Sequence, residues 1–245
     1  MPHIVFIEGN IASGKSTLLD NLKNLNNSER FGKVQVIKEP LDKWKNLSDS
    51  NGTNILKHFY MNMERFAYSF QSFAFLSRVK LLEQIEGDSD YVFIERSIWS
   101  DKEIFAKNCY EQQIMTEIEW VLYNKWFSWM EKTASPPEMS FVYLQTSPFV
   151  SKQRMDKRNR QEENSVTLEY LSQIHQKHQE WFNTKELEMS GNKIKVMTVD
   201  ANSDYTDEKY FTGIVSNLSE FLSLPEAGLA SKFHDSLNVG YGAGC

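Results

Sequence analysis

HIVFIEGNIASGKST, residues 3–17, joins an apolar run to a glycine-rich loop and opens a helical pattern. Residues 9–16 match G-x-x-x-x-G-K-[ST] in full, at the junction of strand and helix that this pattern requires. In such a loop, successive backbone N–H groups point at phosphate oxygens. The lysine reaches the β- and γ-phosphates, and the hydroxyl after it binds Mg²⁺. The sequence therefore predicts a nucleoside triphosphate site formed by Gly9, Asn10, Ile11, Ala12, Ser13, Gly14, Lys15, Ser16 and Thr17.

Outward from the loop, short apolar runs alternate with long helical patterns. The predicted strands cover residues 4–7, 34–37, 91–94, 141–144 and 195–199, and the predicted helices cover residues 15–25, 54–85, 101–108, 114–132, 149–157, 168–189 and 207–222. The strand runs are nearly continuous in apolar residues, as expected for parallel strands covered on both faces. This alternation is typical of α/β proteins. We therefore expect a P-loop NTPase fold with a five-stranded parallel sheet flanked by helices.

The composition restricts the classes of protein that fit. The chain of 245 residues is 40% hydrophobic, enough for a core, and has a formal net charge of −6. An acidic balance argues against binding to nucleic acid polymers or anionic membranes. The two cysteines, Cys109 and Cys245, form neither a disulfide framework nor a metal quartet. The first strand begins almost at Met1, and no apolar run approaches the ~20 residues of a membrane span, so we expect a cytoplasmic protein without membrane partners.

Charged residues follow two of the predicted strands. Glu39 comes after the second strand, and Glu95 and Arg96 come after the third. Ligands of open α/β sheets bind beyond these strand ends. Phosphoryl transfer to a hydroxyl uses a carboxylate that accepts the proton and a cation that holds the developing charge. Glu39 and Arg96 fit these roles beside Lys15, and Glu95 fits a Mg²⁺ site. Such carboxylates would repel a phosphorylated acceptor and favour a neutral hydroxyl. The alternative for Glu39 is a solvated loop acid. The alternative for Glu95 and Arg96 is a structural ion pair or a helix cap.

One face of the long helical pattern combines polar and small residues. Its members are Tyr60, Ala67, Gln71, Ala74 and Arg78. They recur at helical spacing, so they share a side of the helix. Gln71 offers both the donor and the acceptor that a base edge requires. Arg78 could pair with Asp101 across the same pocket, whereas a polar stripe on the protein surface is the alternative.

A strongly basic segment follows the fourth predicted strand. Residues 152–160 carry a net charge of +4 and include Arg154, Arg158 and Arg160. Lid arginines stabilise a transferring phosphoryl group, and lid closure expels water. We therefore expect a mobile lid over the triphosphate. Glu162 and Glu163 follow directly, which fits a phosphate clamp if one of them turns away to bind sugar hydroxyls. A solvated helix face is the alternative.

Taken together, these motifs resemble the deoxynucleoside kinase family, the group of deoxycytidine, deoxyguanosine and mitochondrial-type thymidine kinases. The resemblance is carried by EGNIASGKST, the Glu39-Pro40 pair, Trp44, ERFAYSFQSFAFLSR, ERSIWSDKEIFA, RMDKRNRQEE followed by LEYL, and VDANSDYTDE. It implies a kinase domain over residues 1–224. The tail, residues 225–245, does not match the family pattern, and we expect it to be poorly ordered.

The resemblance also implies a reaction and its residues. The enzyme would transfer the γ-phosphate of ATP, with Mg²⁺, to the 5′-hydroxyl of a deoxynucleoside in nucleotide salvage. Glu39 would be the general base and Arg96 its partner. The other implied assignments are Tyr60 and Glu163 on the sugar 3′-hydroxyl, Gln71 on the base, Trp44, Phe70 and Phe105 as walls of the base pocket, Arg154, Arg158 and Arg160 in the lid, and Asp204 and Tyr205 near the base of the phosphate donor.

Within the family, the base pocket separates substrates. Members that prefer deoxycytidine or purine deoxynucleosides carry an arginine and an aspartate at the positions of Arg78 and Asp101, with a small residue such as Ala74 nearby. Members that accept thymidine tend to have apolar residues there. The resemblance therefore favours deoxycytidine, deoxyguanosine or deoxyadenosine over thymidine. Physically, a guanidinium–carboxylate pair presents fixed donors and acceptors and narrows the pocket where the thymine methyl would lie.

The sequence leaves alternatives open for the oligomeric state and for the exact function. Family members are typically homodimers through long helices. Trp120, Trp126 and Trp129 could belong to such an interface, or equally to the core. A nucleoside monophosphate kinase, such as a thymidylate kinase, and a non-catalytic nucleotide-binding regulator are the competing functions.

Overall fold

A mostly parallel β-sheet with helices on both faces forms the centre of the computed structural model, which describes residues 1–136, 138–189, 192–203 and 207–222. The strands lie in the order β2-β3-β1-β4-β6-β5. Their bounds are β1 (His3–Gly9), β2 (Val34–Ile37), β3 (Tyr91–Glu95), β4 (Met139–Gln145), β5 (Glu186–Met189) and β6 (Asn192–Asp200). Strand β1 pairs in parallel with β3 and β4, so the phosphate-loop strand is central. The predicted α/β fold is confirmed.

The predicted strand count is wrong, because the described sheet has six strands and one of them is antiparallel. Strand β5 pairs antiparallel with β6, with Leu187 opposite Ile194. The helix predicted over residues 168–189 ends at Phe182. In β5, Leu187 and Met189 are buried while the two glutamates are exposed, which is the period of two of a strand. Four residues are too short a run to reveal that period beside a strong helical pattern.

Apart from α2 and α5, which the sequence did not predict, the helices lie on or near the predicted segments. Their bounds are α1 (Lys15–Lys23), α2 (Leu41–Asn46), α3 (Ile55–Met61), α4 (Met63–Leu82), α5 (Ile98–Ser100), α6 (Lys107–Glu111), α7 (Glu117–Ala134), α8 (Pro148–Arg158), α9 (Leu168–Phe182) and α10 (Glu208–Phe221). A π-helical segment, Asp101–Ala106, joins α5 to α6, and a 3₁₀ turn, Gln161–Glu163, follows α8. No helix in the described ranges is both long and apolar enough to cross a membrane.

The sheet separates two apolar cores. Ile4 and Phe6 of β1 pack on the side that carries α4, α7 and α9, whereas Val5 and Ile7 pack on the side that carries α1 and α10. Because side chains alternate along a strand, Glu8 shares the first of these sides. The carboxyl ends of β1, β2 and β3 therefore open toward the space between the phosphate loop and α4.

The predicted helix over residues 54–85 is two helices that meet at Asn62. This residue leaves helical geometry, with φ −150° and ψ 81°, and its side chain accepts a hydrogen bond from the Arg65 backbone N–H at 3.1 Å. Asn54 caps α3 in the same way through the Lys57 N–H at 2.9 Å. An asparagine at an N-cap satisfies a backbone donor that the helix leaves unpaired.

The break predicts the sign of one stability change. In a continuous helix, replacing the exposed Asn62 with alanine would stabilise the protein through helix propensity. At an N-cap, Asn62→Ala should instead lower the free energy of unfolding by about 1 kcal/mol. Urea denaturation measures the difference. Asn62→Asp, which keeps a side-chain acceptor, should stay close to the original protein, and a stabilised alanine variant would contradict the two-helix arrangement.

Three predicted features lie outside the described residues. They are the tail, residues 225–245, and the donor-site residues Asp204 and Tyr205.

Candidate active site

A cavity of about 560 Å³ lies at the carboxyl ends of the central strands and gathers most of the predicted site residues. The predicted residues that line it are Ile11, Ala12, Ser13, Gly14, Lys15, Ser16, Thr17, Glu39, Trp44, Tyr60, Phe70, Gln71, Ala74, Arg78, Glu95, Arg96, Asp101, Phe105, Arg154, Arg158, Arg160 and Glu163. Gly9 and Asn10 lie behind this lining. The Asn10 side chain donates to the Leu171 carbonyl at 2.8 Å and so ties the loop to α9.

Two glycines give the phosphate loop backbone conformations that residues with a Cβ rarely adopt. Gly9 has φ 149°, and a Cβ built there would lie 2.6 Å from Ser13 Oγ and 2.8 Å from the Leu144 carbonyl oxygen. Gly14 has φ 98° and immediately precedes α1, which begins at Lys15. Both conformations suit a residue without a Cβ. The N-terminus of α1 therefore opens into the cavity with its unpaired N–H groups.

Lys15 is buried beneath this loop. Its ammonium donates to the carbonyls of Asn10 at 2.8 Å and Gly9 at 3.2 Å. Burial, helped by the nearby Arg96 cation, lowers the pKa of Lys15 to about 7, against the opposing effect of Glu95, Glu39 and Glu8. An anion in the cavity would favour the charged form.

Glu39 lies between two guanidinium groups. Its Oε1 is 2.9 Å from Arg78 Nη2 and 3.5 Å from Arg96 Nε. Burial opposes ionisation of Glu39, but Arg78, Arg96 and Lys15 outweigh it and lower its pKa to about 2. The carboxylate is therefore ionised at neutral pH and acts as an acceptor.

Arg78 connects the two ends of the acceptor pocket. Its Nε donates to Asp101 at 2.7 Å, which is the pairing that the sequence suggested. Its Nη1 donates to the Glu95 carbonyl at 2.9 Å, and its Nη2 reaches Glu39. Sequence reasoning missed this second carboxylate, because residues 39 and 78 meet only through the tertiary fold.

Arg96 has the left-handed backbone conformation, with φ 66°, that non-glycine residues rarely adopt. Its guanidinium donates to the Gly9 carbonyl at 3.0 Å and lies 4.3 Å from the ring centroid of Phe105. Strained residues of this kind persist where the surroundings hold them, often at functional sites. Phe105, predicted as a wall of the base pocket, therefore also supports Arg96.

Ser16 and Glu95 form an oxygen-rich corner beside the phosphate loop. The Ser16 hydroxyl donates to Glu95 Oε1 at 2.8 Å, and the Glu39 backbone N–H lies 3.4 Å from Glu95 Oε2. Hydroxyl and carboxylate oxygens are the ligands that Mg²⁺ takes, usually together with phosphate and water. Ser16 and Glu95 therefore offer the kinds of oxygen ligand that the predicted Mg²⁺ site requires.

The rings of Trp44, Phe59 and Phe70 line one part of the cavity, which we call the aromatic slot. Phe70 stacks on Phe59 with centroids 4.6 Å apart and meets Trp44 edge-on at 5.4 Å. Gln71 is buried at its side, and its amide nitrogen lies 4.0 Å from the weak acceptor Cys109 Sγ. This amide is therefore available to a planar ligand with polar edges. Sequence reasoning did not assign five further lining residues, namely Leu41, Leu56, Phe59, Lys157 and Tyr170.

The two glutamates after α8 point in different directions. Glu163 binds Arg158 at 2.6 Å and Arg160 at 3.2 Å at the cavity wall. Glu162 lies outside the cavity lining, where it accepts from Asn54 at 3.2 Å and lies 3.7 Å from Lys45 Nζ.

Arg154 ties α8 to two loops. It donates to the carbonyls of Ser13 at 3.3 Å, Ala201 at 2.8 Å and Ser203 at 2.7 Å. The basic segment thus includes two arginines bound to a carboxylate and one bound to backbone oxygens.

A phosphate loop that faces carboxylates, an aromatic slot and an arginine-bearing helix defines a P-loop phosphotransferase with a small-molecule acceptor. Residues 5–223 match the family model described as deoxynucleoside kinase. The chain belongs to the deoxynucleoside kinase family, whose members are kinases that use a nucleoside triphosphate donor and a nucleoside acceptor.

Relatives with established names cover most of the chain. It is 35% identical to the deoxycytidine kinase of Homo sapiens, over 89% of this chain and 90% of that protein. It is 36% identical to deoxycytidine kinase 2 of Gallus gallus, over 84% of both chains. It is 34% identical to the mitochondrial deoxyguanosine kinase of Xenopus laevis, over 79% of this chain and 78% of that protein.

The lowered pKa of Lys15 predicts that nucleotide binding takes up a proton. With a pKa of about 7 in the free protein, about 90% of Lys15 is uncharged at pH 8 and about 10% at pH 6. A bound triphosphate restores the charge, so uptake should approach one proton at pH 8 and fall toward pH 6. Calorimetric titration in buffers of different ionisation enthalpy measures it.

The matched control is Lys15→Arg, which stays charged throughout this pH range and should abolish the uptake at pH 8. Uptake that is the same at pH 6 and pH 8 would contradict the assignment.

Proposed function

We propose that this kinase transfers the γ-phosphate of ATP to the 5′-hydroxyl of a deoxynucleoside, and that it prefers deoxycytidine or purine deoxynucleosides to thymidine. The observation that carries the proposal is the chain of contacts from Asp101 through Arg78 to Glu39. It places a fixed polar pair at the base end of the pocket and an ionised carboxylate at the end nearest the phosphate loop. The relatives named deoxycytidine and deoxyguanosine kinase support the same substrate class.

Glu39 is the proposed general base. In the step, the 5′-oxygen forms a bond to the γ-phosphorus, the bond from that phosphorus to the β–γ bridging oxygen breaks, and Glu39 accepts the hydroxyl proton. A carboxylate with a pKa of about 2 is a weak base, so its first task is to hold and orient the hydroxyl. Proton transfer then follows bond formation, as a loose phosphoryl-transfer transition state allows.

Lys15 and Arg96 are the proposed cations for the transferring phosphoryl group. Both lie at the phosphate loop, where burial strengthens their interaction with developing negative charge. Arg154, Arg158 and Arg160 would add lid contacts from α8 and the segment that follows it. Ser16 and Glu95 would hold Mg²⁺, which when bound would neutralise part of the negative charge of the triphosphate. Asp204 and Tyr205 keep their predicted place near the donor base.

The acceptor would lie in the aromatic slot. Trp44, Phe70 and Phe105 would enclose the base, and Gln71 would bind its polar edge beside Ala74. Tyr60 and Glu163 would bind the sugar 3′-hydroxyl. Because Glu39 and Asp101 line this end of the cavity, a phosphorylated acceptor would meet two carboxylates. This charge distribution favours a nucleoside over a nucleoside monophosphate.

The proposed assembly is a homodimer through α7. Ile118, Val121, Leu122, Trp126 and Trp129 are between 43% and 65% exposed and recur at helical spacing. Trp120, by contrast, packs inward on Tyr110 at 5.2 Å. Large exposed apolar patches occur at protein interfaces, and this patch supports the proposed dimer. Equilibrium sedimentation should give twice the chain mass of 28.6 kDa, and Trp126→Glu with Trp129→Glu should give a monomer. A monomeric unmodified protein would contradict the proposal.

A cytoplasmic location and a single kinase domain over residues 1–224 stay predictions from the sequence.

The kinase reaction is tested with Glu39→Gln. The purified protein with MgATP should form ADP and deoxynucleoside 5′-monophosphate from at least one of deoxycytidine, deoxyadenosine and deoxyguanosine. Glu39→Gln should lower kcat at least ~100-fold, the usual scale for loss of a general base. Asp42→Asn, at an exposed acid of α2, is the control that should leave kcat unchanged. Near-normal turnover of Glu39→Gln would remove Glu39 from the mechanism.

The substrate ranking is tested at Arg78 and Asp101 together, because replacing Arg78 alone would leave Asp101 as a buried unpaired charge. Arg78→Met with Asp101→Leu should lower kcat for every substrate, since Glu39 loses its partner. The ratio of kcat/KM for thymidine to that for deoxycytidine should nevertheless rise at least ~10-fold. The same exchange at the exposed Lys33–Asp88 pair should leave the ratio alone. An unchanged ratio in the pocket variant would contradict the proposed preference for deoxycytidine or purine deoxynucleosides over thymidine.

A further inference from the structure

Glu8 is a fully buried carboxylate that the proposed mechanism does not use. It is the second-to-last residue of β1, one position before the phosphate loop, and it is 0% exposed. The rest of this strand is mostly apolar, and its neighbour Ile7 packs into the opposite core. Burying a carboxylate is unfavourable unless other groups compensate for the lost water. The contacts of Glu8 should therefore show what this residue does.

The two oxygens of Glu8 face two neighbouring groups of one turn. Oε1 accepts a hydrogen bond from the Ser97 backbone N–H at 2.7 Å. Oε2 lies 3.9 Å from Arg96 Nη1, and both of these atoms are buried without a hydrogen-bond partner among the described residues. Burial raises the pKa of Glu8, and Arg96, Ser97 and Ser100 act against this. Because N–H donors face both oxygens, the ionised form fits the geometry.

Arg96 is therefore shared between two carboxylates. Its Nε is 3.5 Å from Glu39 Oε1, and its Nη1 is 3.9 Å from Glu8 Oε2. Neither contact is a short ion pair, and the short hydrogen bond of the guanidinium goes to the Gly9 carbonyl at 3.0 Å. A guanidinium held this way keeps most of its charge available to a third group.

Glu8 also supports the strained backbone of Arg96. The φ of 66° at Arg96 is held from both sides, by its own N–H donating to the Ile7 carbonyl at 2.9 Å and by the next N–H donating to Glu8. Strain at one residue persists when neighbouring contacts determine the conformation. Glu8 thus acts on Arg96 through both backbone and charge.

We propose that Glu8 is a positioning residue for phosphoryl transfer, whose negative charge holds Arg96 away from Glu39. The inference rests on the proposed function, in which Glu39 accepts the 5′-hydroxyl proton. Without the Glu8 charge, Arg96 would close on Glu39, weaken it further as a base and withdraw from the phosphoryl group. When Glu39 becomes neutral during the step, Glu8 remains as the counter-charge that keeps Arg96 in place.

The simpler alternative is that Glu8 only accepts the Ser97 N–H hydrogen bond and shapes the turn. Two substitutions separate these roles. Glu8→Gln keeps the shape and the acceptor but removes the charge. Glu8→Asp keeps the charge but is one methylene too short to reach Ser97 as well. A purely structural role predicts that glutamine retains more activity than aspartate, whereas the proposal predicts the reverse order.

The first measurement is steady-state kinetics of the full chain with MgATP and the best deoxynucleoside. Glu8→Gln should lower kcat by roughly 10- to 100-fold, on the scale of losses at outer-shell positions, with both KM values within about twofold. Glu8→Asp should lose less kcat than Glu8→Gln. Val142→Ala, a buried substitution on β4 that packs in the opposite core, controls for lost stability and should keep its kcat.

The second measurement is a double-mutant cycle with Arg96→Ala, followed by single-turnover formation of ADP. If Glu8 acts through Arg96, Glu8→Gln should change the rate less than about twofold in this background. An undiminished effect there overturns the proposal. A Glu8→Gln variant that is more active than Glu8→Asp also overturns the proposal. A Glu8→Gln variant that fails to fold overturns it as well. A chain that phosphorylates no deoxynucleoside would contradict the proposed function instead, before any Glu8 variant is compared.

Discussion

The acceptor half of the site depends on one buried guanidinium. Arg78 is 2% exposed and donates to three acceptors on three segments: the carboxylate of Asp101 in the π-helical segment, the carbonyl of Glu95 at the end of β3, and the carboxylate of Glu39 after β2. Burial opposes its charge, yet Asp101 and Glu39 together raise the pKa of Arg78. Removing one partner of a buried pair costs about 3–5 kcal/mol, because the other charge is left uncompensated. The three segments are therefore held in one arrangement.

The same cluster sets the protonation of the two groups nearest the reaction. Cations around Glu39 keep it ionised, while burial and Arg96 make Lys15 easy to deprotonate. These two pKa shifts arise because the cations and the carboxylates of the cluster lie close together and away from water. A triphosphate adds negative charge at the loop and favours protonated Lys15, and a hydroxyl adds a donor at Glu39. Each substrate therefore supplies what the cluster lacks on its own, which is negative charge at the phosphate loop or a hydrogen-bond donor at Glu39.

The sequence predicted the parts of this site that depend on local pattern. The phosphate loop is contiguous, and the placement of Glu39 and Arg96 follows from the rule that parallel strands end at one edge. Helical spacing places Arg78 on the pocket face, and its pairing with Asp101 follows from the resemblance to the family. The contact of Arg78 with Glu39 and the burial of Glu8 beside Arg96 required the tertiary fold. Strand β5 was missed because four residues show too little of their period.

The break at Asn62 shows a different limit. The sequence MNMER carries an asparagine that is typical of an N-cap, but apolar residues continue at helical spacing on both sides of it. Side-chain periodicity therefore supported one helix where the backbone forms two. The bend brings Tyr60 of α3 and Gln71 of α4 to the same cavity. Periodicity identified the face that forms the pocket, while the cap determines how its two halves meet.

The net charge of −6 does not oppose binding of an anionic donor, because charge acts locally. Screening at physiological salt limits exposed charges to about 8 Å, so distant surface acids contribute little inside a buried cavity. Among the described residues, seven cationic side chains and four carboxylates line that cavity. Lys15 and the cations of α8 lie on the phosphate-loop side, and Glu39 and Asp101 lie with Arg78 on the aromatic side. The donor end is therefore positive, and the acceptor end, with two carboxylates against the one guanidinium of Arg78, is slightly negative. A nucleoside hydroxyl suits this second environment. The carboxylates there, which contribute to the acidic net charge of the chain, disfavour an acceptor that already carries a phosphate.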